Sequence, residues 1–227
     1  MSYQKIVLIL GSGPRVGRHI SRAFAAKGYQ VALASRTLKE EDKEPGQTHF
    51  QVDLSNPSSV PELFSQVKTA LGVPDVVVYN ASAGAFNDPK NPFSISLRDF
   101  EQAININTTS VFAAAQQAAA GFAQLPDSAS KTFIYTGNAL NSLIIAPMMA
   151  AGVGKSGAAH MMQSAAQLSV ERGFQFYYAD ERNADGSPVY GKISGEAHGA
   201  HYVQLAEEKK QGPWLQTFVR GFGYKKF

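Results

Sequence analysis

The chain has 227 residues, 44% of them hydrophobic and 17% charged, with a formal net charge of +3. That length fits one α/β domain, and so small a charge with no Lys/Arg stripe argues against a nucleic-acid partner. The lack of cysteine excludes disulfides, thiolate catalysis and cysteine-type zinc sites. Lys209, Lys210, Lys225 and Lys226 read as solvated tail positions. The first apolar run, "KIVLIL", is too short to span a membrane and leads into a glycine turn rather than a signal-cleavage pattern. A soluble, cytoplasmic protein with no membrane contact is therefore expected.

In chain order, "KIVLIL" reads as a buried strand and "RHISRAFAAKG" as a helix ended by Gly28. "QVALAS" and "THFQVDL" are strands separated by the Pro45-Gly46 turn. Pro57 behind Ser55-Asn56 marks a helix start, and "DVVVYN" gives a fourth strand. A helix from about Leu97 to Phe122 precedes the fifth strand, "KTFIYTG". An Ala- and Met-rich helix from about Gly157 to Val170 leads into the sixth, "GFQFYYA". "GEAHGAHYVQLAEEKK" is helical and "WLQTFV" a final strand. This alternation predicts a Rossmann-like doubly wound parallel sheet of about seven strands, forming a single domain over residues 1–227.

The turn Gly11-Ser12-Gly13-Pro14-Arg15-Val16-Gly17 lies between the first strand and the first helix. There, backbone N–H groups and the helix N-terminus can meet a pyrophosphate; a tight turn with no ligand is the plainer alternative. An Asp or Glu after the second strand would suit a free ribose 2′-hydroxyl, but the chain has Arg36 there and Arg15 in the turn. Two guanidinium groups suit a 2′-phosphate, so NADP(H) is favoured over NAD(H), with a bland surface role for Arg36 as the alternative.

With these features in this order, the chain resembles the short-chain dehydrogenase/reductase family over about residues 5 to 182. Its "GSGPRVG" is similar to that family's Gly-xxx-Gly-x-Gly turn, with Arg15 in place of the middle glycine. The resemblance implies that Asp53, with Leu54 beside it, receives the adenine amino group. It matches Asn80 and Ala81 to the Asn-Asn-Ala-Gly segment, with Ser82 in place of the glycine, and it puts the asparagine that supports a proton-relay water at Asn107. It also implies a tyrosine four residues before a lysine, on one helix face, as proton donor to the alkoxide that hydride transfer creates.

Lys155 fits the lysine, but Ala151 stands where the tyrosine should be. The serine position falls near Asn138, with Ser142 a less well-aligned substitute, and "ADERNADG" replaces the usual Pro-Gly beside the nicotinamide. The run "GVGKSG" is no phosphate loop, because Met149 occupies the place of the required leading glycine.

Three readings of the missing acid stay open. Another group supplies the proton: Asp180 or Glu181 directly after the sixth strand, Tyr178 on it, or a mobile Tyr190 or Tyr202. The alternative for the two carboxylates is a loop that binds solvent or Arg182. In the second reading the acceptor, an iminium ion or activated alkene, needs no such acid, so the substrate is a carbonyl, imine or activated alkene. In the third the protein binds NADP(H) without turnover, as a sensor. His198 and His201 beside Glu196 fit a polar helix face or substrate lid better than a metal site. The resemblance implies that the aromatic segment 183–227 covers the small-molecule substrate, which suits one that is bulky and apolar or aromatic; the alternative is that these aromatic residues only pack core. The small-faced helices around Ala113–Ala120 and Ala158–Ala166 correspond to those that pair subunits in the family, which implies a homodimer or homotetramer.

Overall fold

The computed structural model describes residues 3–37 and 44–227. Its parallel strands are β1 (Ile6–Leu10), β2 (Gln30–Ser35), β3 (Gln47–Gln51), β4 (Val76–Tyr79), β5 (Thr132–Thr136), β6 (Gln175–Arg182) and β7 (Leu215–Val219). A two-residue antiparallel strand, β8 (Gly223–Tyr224), completes one eight-stranded sheet in the order β3-β2-β1-β4-β5-β6-β7-β8. It is one strand more than expected and too short to leave a periodic signal. The order reverses between β1 and β4, and in such a sheet a ligand crevice opens at the carboxyl ends of those strands.

All five residues of β1 are buried because helices cover both faces of the sheet. Leu8 and Leu10 join the core under α2 (Ser59–Ala70), α4 (Ser110–Phe122) and α5 (Met149–Leu168). Val7 and Ile9 join the core under α1 (Val16–Ala26) and α6 (Gly195–Glu207). A strand buried on both faces reads as an unbroken apolar run, as "IVLIL" does.

Three elements differ from expectation in ways that shape the site. The predicted helix over 97–122 is α3 (Leu97–Ile104) and α4 joined through a π-helical turn, Asn105–Thr109. A π turn leaves carbonyls without their usual partners. Buried tyrosines supply them: the Tyr79 hydroxyl donates to Ile106 O at 2.6 Å and the Tyr135 hydroxyl to Asn107 O at 3.3 Å.

The helix expected from Gly157 begins at Met149, so Lys155 lies inside it rather than opening it. Its glycines lower helix propensity, which masked the start, but they serve packing. A Cβ on Gly154 would stand 2.6 Å from the Asn107 Cβ, and one on Gly157 would stand 3.1 Å from Thr108. β6 continues through Asp180, Glu181 and Arg182, so the two carboxylates sit within the strand, paired in register with Thr217 and Phe218 of β7. Among the described residues no helix is long and apolar enough to cross a membrane.

Candidate active site

A crevice of about 520 Å³ opens at the reversal of strand order. Along one side run Gly11, Ser12, Gly13, Arg15 and Val16 of the glycine turn and Arg36 after β2; Leu54, Asn80, Ala81 and Ser82 form its centre. Asn138 and Lys155 close the far end. Sequence reasoning missed Ile106, Thr136, Gly137 and Ile193, which also line it.

The turn is shaped for close approach of a backbone. Gly11 has φ +94°, and a Cβ there would stand 2.5 Å from Ala81 N; a Cβ on Gly17 would stand 2.8 Å from the Ser12 backbone. Gly17 itself lies behind the crevice. The Asn80 side chain donates to Gly11 O at 2.7 Å and ties the end of β4 to the turn. α1 begins at Val16 with no side-chain cap; Gly13 O takes the Arg18 N–H at 3.1 Å, so the N–H groups before Arg18 are the ones a ligand can meet. These features fit a dinucleotide pyrophosphate.

Arg15 donates to Gly191 O at 3.2 Å, which draws the short helical turn Tyr190–Lys192 toward the crevice. Arg36 exerts its charge on Asp53, whose carboxyl is held below its usual range chiefly by Ser55, through N–H and O–H donation to Oδ1 at 2.9 and 2.8 Å. Asp53 does not line the crevice, whereas Val52 and Leu54 on either side do.

At the other end, Asn107 is fully buried. Its side-chain amide donates to Ala83 O at 2.7 Å and its oxygen accepts from Ala83 N at 3.2 Å. Ser82 donates to the same oxygen at 3.2 Å. The side chain thus pins the segment after β4 to the π turn and lies off the crevice. Tyr178 is also committed: its hydroxyl donates to Asn138 O at 2.7 Å and accepts from Asn138 N at 3.2 Å. Its ring crosses the place where a Gly137 side chain would stand, so glycine is required after β5. That glycine was the one available sequence signal for this contact. The Asn138 side chain accepts from Leu140 N at 3.0 Å.

Lys155 is 2% exposed. Its ammonium donates to Thr136 O at 3.0 Å and lies 4.5 Å from the centre of the Tyr135 ring. Burial lowers its pKa to about 7, while the charge of Asp180 works in the opposite direction. Asp180 is buried on the same face of β6 as Tyr178 and accepts from Arg182 Nε at 2.6 Å; burial raises its carboxyl to about 6 against the pull of Arg182 and Lys155. It lies behind Lys155 rather than on the crevice wall. Ala151 is buried one turn before Lys155 on the same helix face.

Glu181 faces the opposite side of the sheet. It accepts from Ser194 N at 2.7 Å, and Arg220 and His198 stand 3.8 and 3.6 Å from its carboxyl. His198 and His201 are core residues rather than a polar face or lid. His198 hydrogen-bonds Ser194 O at 2.7 Å, and His201 stacks 4.4 Å from Phe218. Burial lowers both to about 4. They are drawn inside because α6 packs closely on α1: a Cβ on Gly195 would stand 2.6 Å from Arg15 O. Among the described residues no group of three His, Cys, Asp or Glu could hold a metal. Tyr202 is likewise buried rather than mobile, donating to Thr136 Oγ1 at 2.9 Å, while Tyr190 is exposed.

A dinucleotide-shaped crevice at the reversal point of a doubly wound sheet, with a lysine at its end, defines a Rossmann-type oxidoreductase. The short chain dehydrogenase family model matches residues 5–178, and the chain belongs to that family. It is 47% identical, over 98% of its own length and 94% of the relative's, to a short chain dehydrogenase/reductase of Cryptosporiopsis sp. (strain 8999). Solved structures share the fold. One is an alcohol dehydrogenase from the archaeon Thermococcus sibiricus complexed with 5-hydroxy-NADP (TM-score 0.76, 18% identity, 99% of this chain and 100% of that one). Another is a metagenomic short-chain oxidoreductase in complex with NADP (TM-score 0.78, 18% identity, 93% of this chain and 96% of that one).

Proposed function

We propose that the protein is an NADP(H)-dependent reductase of a carbonyl, imine or activated alkene. The observation that carries this reading is the crevice itself, which runs from two arginines to a buried lysine along a turn that only glycines can form. The structures of similar fold bound to NADP and 5-hydroxy-NADP support the same cofactor class. Bound nicotinamide would supply the hydride. Gly11, Ser12, Gly13 and Val16 hold the pyrophosphate through backbone N–H groups, and Gly17 allows the turn to close. Arg15 and Arg36 take the 2′-phosphate. Lys155 orients the nicotinamide ribose. Asn107 and Tyr178 act by fixing the segments after β4 and β5, with Asp180 placed to exchange a proton with the site. Residues 183–227 remain part of the same domain, and Tyr190–Ile193 cover the crevice mouth. Self-association through α4 and α5 completes the reading.

Ala151 at the acid position, with no tyrosine lining the crevice among the described residues, favours a second reading as a non-catalytic NADP(H) sensor. A fluorescence titration with NADPH and NADH, followed by turnover on carbonyl, imine and enone panels, separates the two. Tight NADPH binding with turnover supports the reductase; tight binding with no turnover supports the sensor. Failure to bind either nucleotide ends both.

A further inference from the structure

Only three titratable side chains line the crevice among the described residues: Arg15, Arg36 and Lys155. An arginine keeps its proton throughout the working pH range, and both arginines stand beside the glycine turn and β2. Lys155 stands at the opposite end, with Thr136, Gly137 and Asn138. Its ammonium has three N–H bonds. One goes to Thr136 O, and its remaining polar neighbours are the Tyr135 ring and the charge of Asp180. The nearby hydroxyls are committed elsewhere: Tyr135 to Asn107 O, Tyr178 to Asn138 O and Tyr202 to Thr136 Oγ1. On the same helix, Ala151 is buried one turn before the lysine and brings no polar atom to it.

Resting on the reductase reading, we propose that Lys155 is itself the proton donor to the reduced substrate, and that Asp180 is a positioning residue that sets the charge of its amine. The acceptor carbon would take the hydride that a bound reduced nicotinamide supplies, leaving that nicotinamide oxidised, and the π pair of the C=O or C=N bond would move to the heteroatom. That atom takes a proton from Lys155 Nζ and leaves a neutral amine, which a proton from water restores. The balance is one hydride from the reduced cofactor and one proton from solvent, passed through the lysine.

The charged groups near Lys155 are few. Asp180 on β6 is paired with Arg182, and although burial raises its carboxyl to about 6 it is still charged at neutral pH; Tyr135 on β5 contributes only its ring face. Burial brings the lysine to about 7, where a group both gives up and regains a proton at neutral pH. The same carboxylate favours the ammonium, so Asp180 acts on the reaction through Lys155 without touching the substrate.

Two measurements test this. In nucleotide-free protein carrying 13C at the lysine ε-carbons, the resonance lost in Lys155→Met or Lys155→Gln should titrate near 7, well apart from the surface lysines. It should move to lower pH in Asp180→Asn. A Lys155 resonance that titrates with the surface lysines, or that ignores Asp180→Asn, overturns the assignment without reference to activity. In the second, Lys155→Arg keeps the positive charge but holds its proton. It should bind NADPH within about tenfold of the parent and lose turnover by about 10²–10⁴-fold, the range of general acid assistance. Parent-like turnover in Lys155→Arg overturns the proposal; if that variant does not fold, the titration decides. Failure of the parent to bind NADPH overturns the reductase reading, and the proton-donor role with it.

Discussion

The two ends of the crevice are built by different means. At the turn end the surface is mostly backbone, formed by one loop between β1 and α1 and fixed by Asn80 from the neighbouring strand. At the lysine end each wall comes from a different element: β5, the segment after it, α5, and the loop before α6. A surface made from one loop depends on where glycines fall. A surface made from several elements depends on which side chains are spent on holding those elements together. Asn107 and Tyr178 illustrate the second case, since each uses its polar atoms on a neighbouring backbone.

The sharpest way to break the turn end is Gly11→Ala. The added methyl would meet Ala81 at a φ that L residues rarely adopt. Backbone strain and overpacking together should cost about 2–6 kcal/mol. A urea titration measures that loss, and an NADPH titration should show affinity down by more than about 100-fold. A variant of parent stability and affinity would show that the turn has slack the geometry denies. Next in size is Arg36→Ala. Loss of a hydrogen bond to a charged group costs roughly 1.5–3 kcal/mol, so NADPH affinity should fall about 10–150-fold while NADH affinity stays within a fewfold. A matched fall for both nucleotides would remove the 2′-phosphate role from this end.

This contrast also explains what was legible in the sequence. Gly11, Gly13 and Gly17 follow an apolar strand and precede a helix, and that local order suffices to locate a turn. Lys155 is singled out by the family resemblance rather than by local order, and the helix around it starts earlier than its glycines suggest. The partners of the lysine end were not legible. Whether the Tyr178 hydroxyl is free depends on Asn138, forty residues away, and on Gly137 leaving room for its ring. The π turn is hidden because its sequence continues a helical pattern, while the Ile106 and Asn107 carbonyls are met by Tyr79 and Tyr135 from two strands distant in sequence. The burial of His198 and His201 was hidden for a similar reason. Polar residues on a helix suggest solvent until Gly195 lets that helix settle against α1.

Acid stability sharpens the comparison further, because Asp180 of β6 and the buried histidines of α6 have opposite signs of effect. His198 and His201 titrate near 4 in the folded protein and near 6.5 when unfolded, so the unfolded chain binds more protons between those values. The histidine contribution to stability should be full above about pH 6.5 and decline as pH falls toward 4, by up to about 1.4 kcal/mol per histidine for each pH unit crossed. Asp180, raised to about 6, works the other way: the folded state binds its proton first as pH falls. Asp180→Asn should therefore steepen the acid loss, measured as the slope of denaturant-unfolding free energy between pH 6 and 4. An unchanged slope would place Asp180 in a better-hydrated setting than its burial implies.

The smallest effect is expected from Tyr178→Phe, which tests whether the lysine end separates support from chemistry. Removing the hydroxyl breaks its donation to Asn138 O and its acceptance from Asn138 N. The backbone groups left behind are close enough to the crevice for partial hydration, so a stability loss of about 1–3 kcal/mol is expected. The loop after β5 would loosen, and the substrate KM should rise more than kcat falls, because the loop positions an acceptor rather than protonating it. A turnover loss of about 100-fold or more at unchanged stability would mean that the tyrosine hydroxyl leaves Asn138 during the reaction and takes part in it. In that case the lysine end would rely on a moving side chain, and the division between residues that brace this end and residues that act there would no longer hold.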